Sequence, residues 1–242
     1  MGQKAVEFNP NFPYGVGKSE RVIEIPWALS RYNGGQRVLE VGCSFAYENP
    51  EYIGGLRGLN IPELHGIDIS SVEAPHFIKN TADIRESGYE TGFFDFILCI
   101  STLEHVGRDN TKYYKPVAEL SSDRQDASGP DEKAMTEMLR ILNPGGRLIL
   151  TIPFGKFVDY GWFINYDSRH VADLFHRIPP AKIHAEYFKY TDAGWMPCSA
   201  GDLGETAYGD NSAPAAAGLG CFEITRVARF NQRARQTIEN IG

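Results

Sequence analysis

Gly42 ends an apolar run, Arg37-Val-Leu-Glu-Val41, at the point where a strand must give way to a turn. In an open parallel sheet such a turn presents backbone N–H groups to a ligand lying beyond the carboxyl ends of the strands. A pyrophosphate loop needs Gly-x-Gly-x-x-Gly so that the backbone can approach closely. Here the three positions hold Gly42, Ser44 and Tyr47, which argues against a nicotinamide dinucleotide. A ligand without phosphates, whose carboxylate and ammonium meet polar loop groups, suits Ser44 and Ala46 better. Asp68, 26 residues after Gly42, closes a second strand where an acid accepts hydrogen bonds from two ribose hydroxyls, although a capping aspartate has the same look. Asp83-Ile84 offers a carboxylate for an exocyclic amine and a backbone N–H for a ring nitrogen; a solvated loop acid is the competing account.

These groups need elements to hold them. Ser19 to Tyr32 has the apolar spacing of an amphipathic helix interrupted by Pro26, and forms an N-terminal cover. Arg37–Val41, His65–Ile69 and Phe94–Ile100 read as strands, the last with the apolar composition of a strand covered on both faces. Glu48 to Leu59 reads as one short helix. Asp131–Leu142 is a helix stopped by Asn143-Pro-Gly-Gly146, and Arg147–Pro153 follows as a strand. Strand alternating with helix implies right-handed crossovers and a parallel sheet, so the fold class is α/β. Cys221–Arg229 reads as a final strand. Gly107–Pro130 and Pro197–Gly218 lack periodicity and are read as long loops, either substrate lids or flexible insertions.

Composition sets the outer bounds. The chain has 242 residues, 42% of them hydrophobic and 23% charged, enough for one domain. Its apolar runs are too short to span a bilayer, and the N-terminus lacks a basic segment followed by an apolar stretch. Cys43, Cys99, Cys198 and Cys221 show no paired ligand spacing and fit reduced thiols in a cytoplasm. A net charge of -7 gives no general attraction for a phosphate backbone, so nucleic acid is not the expected partner. Arg226, Arg229, Arg233 and Arg235 form a local basic cluster, read as a solvated terminal helix.

Five segments in order, Leu39-Glu-Val-Gly-Cys-Ser44, Gly66-Ile-Asp-Ile-Ser70, Asp83-Ile84, Phe94 to Val106, and Leu139 to Thr151, resemble the class I S-adenosylmethionine-dependent methyltransferases. The resemblance covers residues 36 to 155 well. It implies a Rossmann-like, mostly parallel sheet of seven strands with helices on both faces and the last strand antiparallel. It also implies S-adenosylmethionine as cofactor, held by Glu40, Gly42, Ser44, Phe45, Asp68, Ile69, Asp83, Ile84, Ser101, Thr102 and Leu103. Ser44 and Ala46 stand where many members have glycine. Leu103-Glu-His-Val-Gly-Arg-Asp-Asn110 with Tyr113-Tyr114 looks nearest to bacterial small-molecule and sugar methyltransferases. The expected organisation is a single domain over 1–242, with a cover (1–35), a cofactor core (36–155), and acceptor-side elements with a C-terminal strand and tail (156–242).

Methyl transfer from a sulfonium needs alignment and, for an alcohol acceptor, a base. His105, just past the central strand, is the foremost candidate, with pocket shaping as its alternative role. Asp159 and Tyr166 are further candidates, as are Tyr160 and His170. Trp162, Phe163, Trp195 and the tyrosines are candidates for an acceptor wall. Glu104-His105 resembles the magnesium-binding pair of plant small-RNA 2′-O-methyltransferases, but Ser101 stands where that site needs another acid, so no metal is expected. The reading is methyl transfer to a hydroxyl of a small polar acceptor, a sugar or secondary metabolite, with homodimerisation left open. Its rivals are N-methylation of a small amine, an RNA or protein methyltransferase, and a nonenzymatic cofactor-binding domain.

Overall fold

A computed structural model describes residues 8–111, 129–227 and the backbone of 237–239. The elements in order are α1 (Arg21–Ser30), β1 (Arg37–Val41), α2 (Cys43–Glu48), α3 (Pro50–Gly58), β2 (Glu63–Asp68), β3 (Ile78–Thr81) and β4 (Phe94–Ile100). Then follow α4 (Pro130–Ile141), β5 (Leu142–Pro153), β6 (Val158–Asp159), β7 (Ile164–Asn165), α5 (Ser168–Arg177), β8 (Ala181–Thr191), β9 (Gly194–Cys198), β10 (Gly218–Arg226) and β11 (Thr237–Glu239).

The main sheet runs β11-β8-β10-β5-β4-β1-β2-β3, with β9 paired to β8. Strands β3, β2, β1, β4 and β5 are mutually parallel. β10 runs antiparallel to both β5 and β8. This is the α/β, Rossmann-like architecture expected, with seven strands in the expected arrangement and β9 and β11 added at β8. Residues of β4 alternate between its two faces. Ile97 and Cys99 pack with Met135 and Leu139 of α4 and Phe175 of α5. Phe96, Leu98 and Ile100 pack with Trp27 of α1 and Tyr52 and Leu56 of α3. Covering both faces explains why β4 is an unbroken apolar run.

Three local readings are corrected. The helix expected over 48–59 is α3, begun two residues later at Pro50, and α2 ahead of it was not anticipated; the two are separate because Asn49 is extended (φ −93°, ψ 108°) ahead of Pro50 and its Oδ1 accepts from the N–H groups of Glu51 and Tyr52. Proline keeps the residue before it out of the helical region, and an N-cap asparagine then starts the next helix. Asn143-Pro-Gly-Gly146 does not follow the helix as a free turn. It lies within β5, where the pairing jumps from Phe94↔Leu142 to Phe96↔Arg147, so α4 runs directly into a bulged strand. The third correction is one of omission: β3, β8 and β9 were not anticipated. Of the two long loops, most of Gly107–Pro130 lies outside the described residues, and 199–217 holds two short 3-10 turns (Gly201–Leu203, Asp210–Ser212). Arg229, Arg233 and Arg235 also lie outside them.

Candidate functional site

The site is built where β1, β2 and β4 end. Gly42 leaves β1 with φ +88°, its N–H donating to Ile67 O at 2.9 Å. Left-handed backbone favours glycine, and a Cβ here would lie 2.5 Å from Thr102 Oγ1. Thr102 Oγ1 in turn is 3.1 Å from Val41 O and 3.0 Å from Ile100 O, donating across the gap between the two strand ends. Asp68, at the end of β2, is fixed by two backbone donors: Ser44 N to Oδ2 at 3.0 Å and Ser70 N to Oδ1 at 2.8 Å. A carboxylate oxygen has further acceptor capacity, so both oxygens can still take a hydroxyl. The Ser44 amide, which a pyrophosphate would use, is already spent on Asp68.

Between these ends lies an open cleft. Val41, Ile67, Ile69, Ile84 and Val106 give it apolar sides, and Asp68, Asp83, Thr102, His105, Arg108 and Asn110 give it polar groups. Asp83 caps a 3-10 turn over Ile84–Glu86, accepting from Arg85 N at 2.9 Å, and its carboxylate is buried against the Arg85 guanidinium at 2.8 Å. The pair holds the Asp83-Ile84 backbone at the rim.

Of the eleven cofactor residues expected from sequence, Gly42, Asp68, Ile69, Asp83, Ile84 and Thr102 line this cleft. The other five are not among its lining residues. Glu40 is buried with its Oε2 accepting from the Tyr52 hydroxyl at 2.6 Å, and burial pushes its carboxyl well above the ordinary range. Ser44 is buried under the turn, serving Asp68 through its amide. Phe45 carries the Arg21 guanidinium on its ring at 4.4 Å. Leu103 is in the core with α4. Ser101 holds φ +41°, and its Oγ donates to Glu24 Oε2 at 2.7 Å. Sequence reasoning passed over Arg108 and Asn110 as lining residues, although both sit in the quoted Leu103–Asn110 element. It also passed over Arg21 and Glu24, hidden as ordinary charges on a cover helix, and weighed Glu104 only as half of a metal-binding pair.

Among the catalytic candidates, His105 lines the cleft. Its Nδ1 is 2.9 Å from Trp162 O. A carbonyl only accepts, so Nδ1 carries the proton and Nε2 is the basic nitrogen of the neutral ring. Burial, aided by the nearby Arg21 charge, lowers the imidazole below its usual pKa, while the Trp162 carbonyl and the Asn110 side chain oppose the shift. Asp159 is exposed and lies outside the cleft. The Gly161 amide and then its ion pair with Arg108 hold it below the usual carboxylate range, which makes it a poor base. Tyr166 is 1% exposed, donates to Asp131 Oδ2 at 3.2 Å and is raised well above the usual phenol range by burial, so it too lies off the cleft.

An aromatic group stands beside His105. The Trp162 ring centroid is 5.4 Å from the imidazole, Phe163 stacks on Tyr160 at 4.6 Å, and Tyr208 meets Phe163 at 4.9 Å. Trp195 belongs elsewhere: it is fully buried, and its Nε1 donates to Lys18 O at 3.1 Å. His170 stacks on Phe157 at the surface and pairs with Asp167, the cap of α5.

The donor set fits S-adenosylmethionine: a carboxylate for a ribose diol, an apolar slot beside the Asp83-Ile84 backbone for a base, and no spare first-turn amide at Ser44 for a pyrophosphate. A family profile described as a methyltransferase domain matches residues 20–195. No curated protein matches the chain at a significant level. Among solved structures, a S-adenosylmethionine-dependent methyltransferase from Archaeoglobus fulgidus is similar at a TM-score of 0.54 and 10% identity, over 85% of this chain and 94% of that one. A S-adenosylmethionine-dependent methyltransferase from Thermotoga maritima is similar at 0.50 and 15% identity, over 85% and 88%. The [4+2]-cyclase SpnF is similar at 0.50 and 18% identity, over 81% and 77%. At these identities the likeness is one of fold. Among the described residues no helix is long and apolar enough to cross a membrane. With a matching profile over most of its length and a cleft of the matching chemistry, the chain belongs to the methyltransferase-domain family and uses S-adenosylmethionine as its cofactor.

Proposed function

We propose that this protein transfers a methyl group from S-adenosylmethionine to a hydroxyl of a small polar acceptor, with His105 as the proton acceptor. The observation that carries the reading is the imidazole itself: it lines the cofactor cleft, its Nδ1 proton is committed to the Trp162 carbonyl, and burial keeps it neutral. The bound cofactor supplies an electrophilic methyl on a sulfonium whose carbon–sulfur bond leaves its electron pair on sulfur. His105 Nε2 takes the hydroxyl proton as the carbon–oxygen bond forms, so no free alkoxide is needed. Asp68 holds the ribose hydroxyls and the Asp83-Ile84 rim the adenine, which fixes the line of attack. Tyr160, Trp162, Phe163 and Tyr208 supply an apolar wall for the acceptor, and the Arg108–Asp159 pair lies at its edge.

The test is transfer of radiolabelled methyl from S-adenosylmethionine to a panel of sugars, phenols, small amines and RNA. Label in hydroxylated acceptors supports the reading. Label confined to amines replaces it with N-methylation. Tight cofactor binding without transfer to any acceptor favours a nonenzymatic cofactor-binding domain.

A further inference from the structure

We propose that Arg21 receives the carboxylate at the amino-acid end of the cofactor, and that Glu24 is its positioning residue; the assignment rests on S-adenosylmethionine binding at the Gly42 cleft. Arg21 opens α1, the helix that covers the strand ends. Its guanidinium lies over the Phe45 ring, three residues past Gly42. On its other side it is electrostatically coupled to His105 and Glu104, in the turn after β4. The cation therefore lies between the loop after β1 and the turn after β4, beside the residues that line the cleft rather than among them.

The mounting is specific. Glu24 is fully buried and uses both oxygens: Oε1 holds Arg21 Nη1, while Oε2 accepts from Ser101 Oγ and Thr151 Oγ1, each at 2.7 Å. Ser101 N also donates to Thr151 O at 3.0 Å, so α1, β5 and the turn carrying Thr102 and His105 meet at one carboxylate. A buried acid this fully bonded would serve packing alone only at a high desolvation cost. Here it anchors the arginine from behind, while stacking on Phe45 fixes the guanidinium plane. Arg21 Nε is 3.9 Å from Glu20 Oε1, and Nη2 makes no hydrogen bond among the described residues. The side chain is 28% exposed, unlike the sealed Arg85, so its outer edge is open to a ligand. A planar fork with donors at its edge is the group that matches a carboxylate. The head group also carries an ammonium, and the buried Glu104, within electrostatic reach of Arg21, has an Oε2 with no hydrogen-bond partner among the described residues.

The experiment is calorimetric binding of two nucleosides, S-adenosylhomocysteine and 5′-methylthioadenosine, which share the adenosine and sulfur but differ in the amino-acid end. Arg21→Met should weaken S-adenosylhomocysteine binding by about 10- to 100-fold, the loss typical of a charge-assisted contact, and leave 5′-methylthioadenosine unchanged. Arg21→Lys should recover part of the loss. Glu24→Gln, which keeps acceptors for Ser101 and Thr151 but removes the charge behind Arg21, should give a smaller loss with the same selectivity. Equal weakening of both nucleosides in the variants, or unchanged S-adenosylhomocysteine affinity, would overturn the assignment. Failure of the wild-type protein to bind either nucleoside would overturn the cofactor reading first, and this assignment with it.

Discussion

Gly42 and Thr102 meet at the floor of the cleft with no room for a side chain between them, since a Cβ on Gly42 would lie 2.5 Å from Thr102 Oγ1 and 3.0 Å from its Cγ2. Gly42→Ala therefore carries two penalties: left-handed strain of roughly 1–2 kcal/mol and the clash. We expect lower thermal stability and weaker S-adenosylhomocysteine binding. Adding Thr102→Ala should relieve the clash and not the strain, so the double variant should recover part of the loss by calorimetry. Full recovery would show that φ +88° costs nothing here.

His105→Ala should reduce turnover by about 100-fold or more if the imidazole takes the proton, with S-adenosylhomocysteine affinity nearly intact. Because burial lowers its pKa, the ring stays neutral until the pH falls below the ordinary histidine range. The rate should thus be flat near neutrality and fall only in the acid limb. A single-turnover pH profile checks this, and an acid limb unchanged by the substitution would remove His105 as the base.

Asp68→Ala should cost a few kcal/mol of cofactor affinity, the scale of lost charge-assisted hydrogen bonds. It also strands the Ser44 and Ser70 amides. Asp68→Asn keeps an acceptor for only one of the two amides, so it should fall between wild type and alanine in titration calorimetry. Equal affinity in all three proteins would take Asp68 out of the ribose site.

Glu20 is pushed up to about 7, chiefly by burial and then by Glu24. A carboxyl whose folded pKa exceeds its unfolded value binds more protons when folded, so its stabilising contribution is present below the usual 4.5 and is lost as pH rises through about 7. Denaturant melts between pH 5 and 8 should show stability falling by on the order of 1–2 kcal/mol from this group. Glu20→Gln should flatten that slope. A slope unchanged in the variant would assign it to another group.

Tyr166→Phe removes only the 3.2 Å bond to Asp131 and should leave the pH profile of turnover in place. A lost basic limb would restore the tyrosine as a participant.

The parts of the fold legible in sequence were those whose pattern is set by burial on both faces: β1, β4, the second half of β5, and α4 with its apolar stripe. β8 was equally legible yet passed over. Ala181, Ile183, Ala185 and Tyr187 are buried while Lys182 and His184 are exposed, the period of two that marks a half-covered strand. β3 was not legible, being four mostly polar residues that pair only because β2 offers an edge. At the site, Gly42, Asp68, Asp83 and Thr102 could be placed because strand ends in this architecture deliver their residues to one rim. Glu40 and Tyr166 are buried and are not among the residues that line the cleft; sequence gives Glu40's depth along β1 but not which face it takes. Arg21 and Glu24 were invisible because their partners, Phe45, Ser101 and Thr151, lie up to 127 residues away.

The N-terminal segment closes on parts of the chain made much later. Lys18 O receives Trp195 Nε1, Gly17 N donates to the Tyr190 hydroxyl, and Glu20 Oε2 waits for the amide of Ala216. During synthesis α1 can pack on α3, β4 and β5 as they appear, but residues 17–20 ahead of it have nothing to close against until β8, β9 and the approach to β10 have left the ribosome. Contacts of such long sequence separation form late and slowly. A chain shortened ahead of Trp195 would therefore carry α1 without the contacts that pin its leading end to the far side of the sheet.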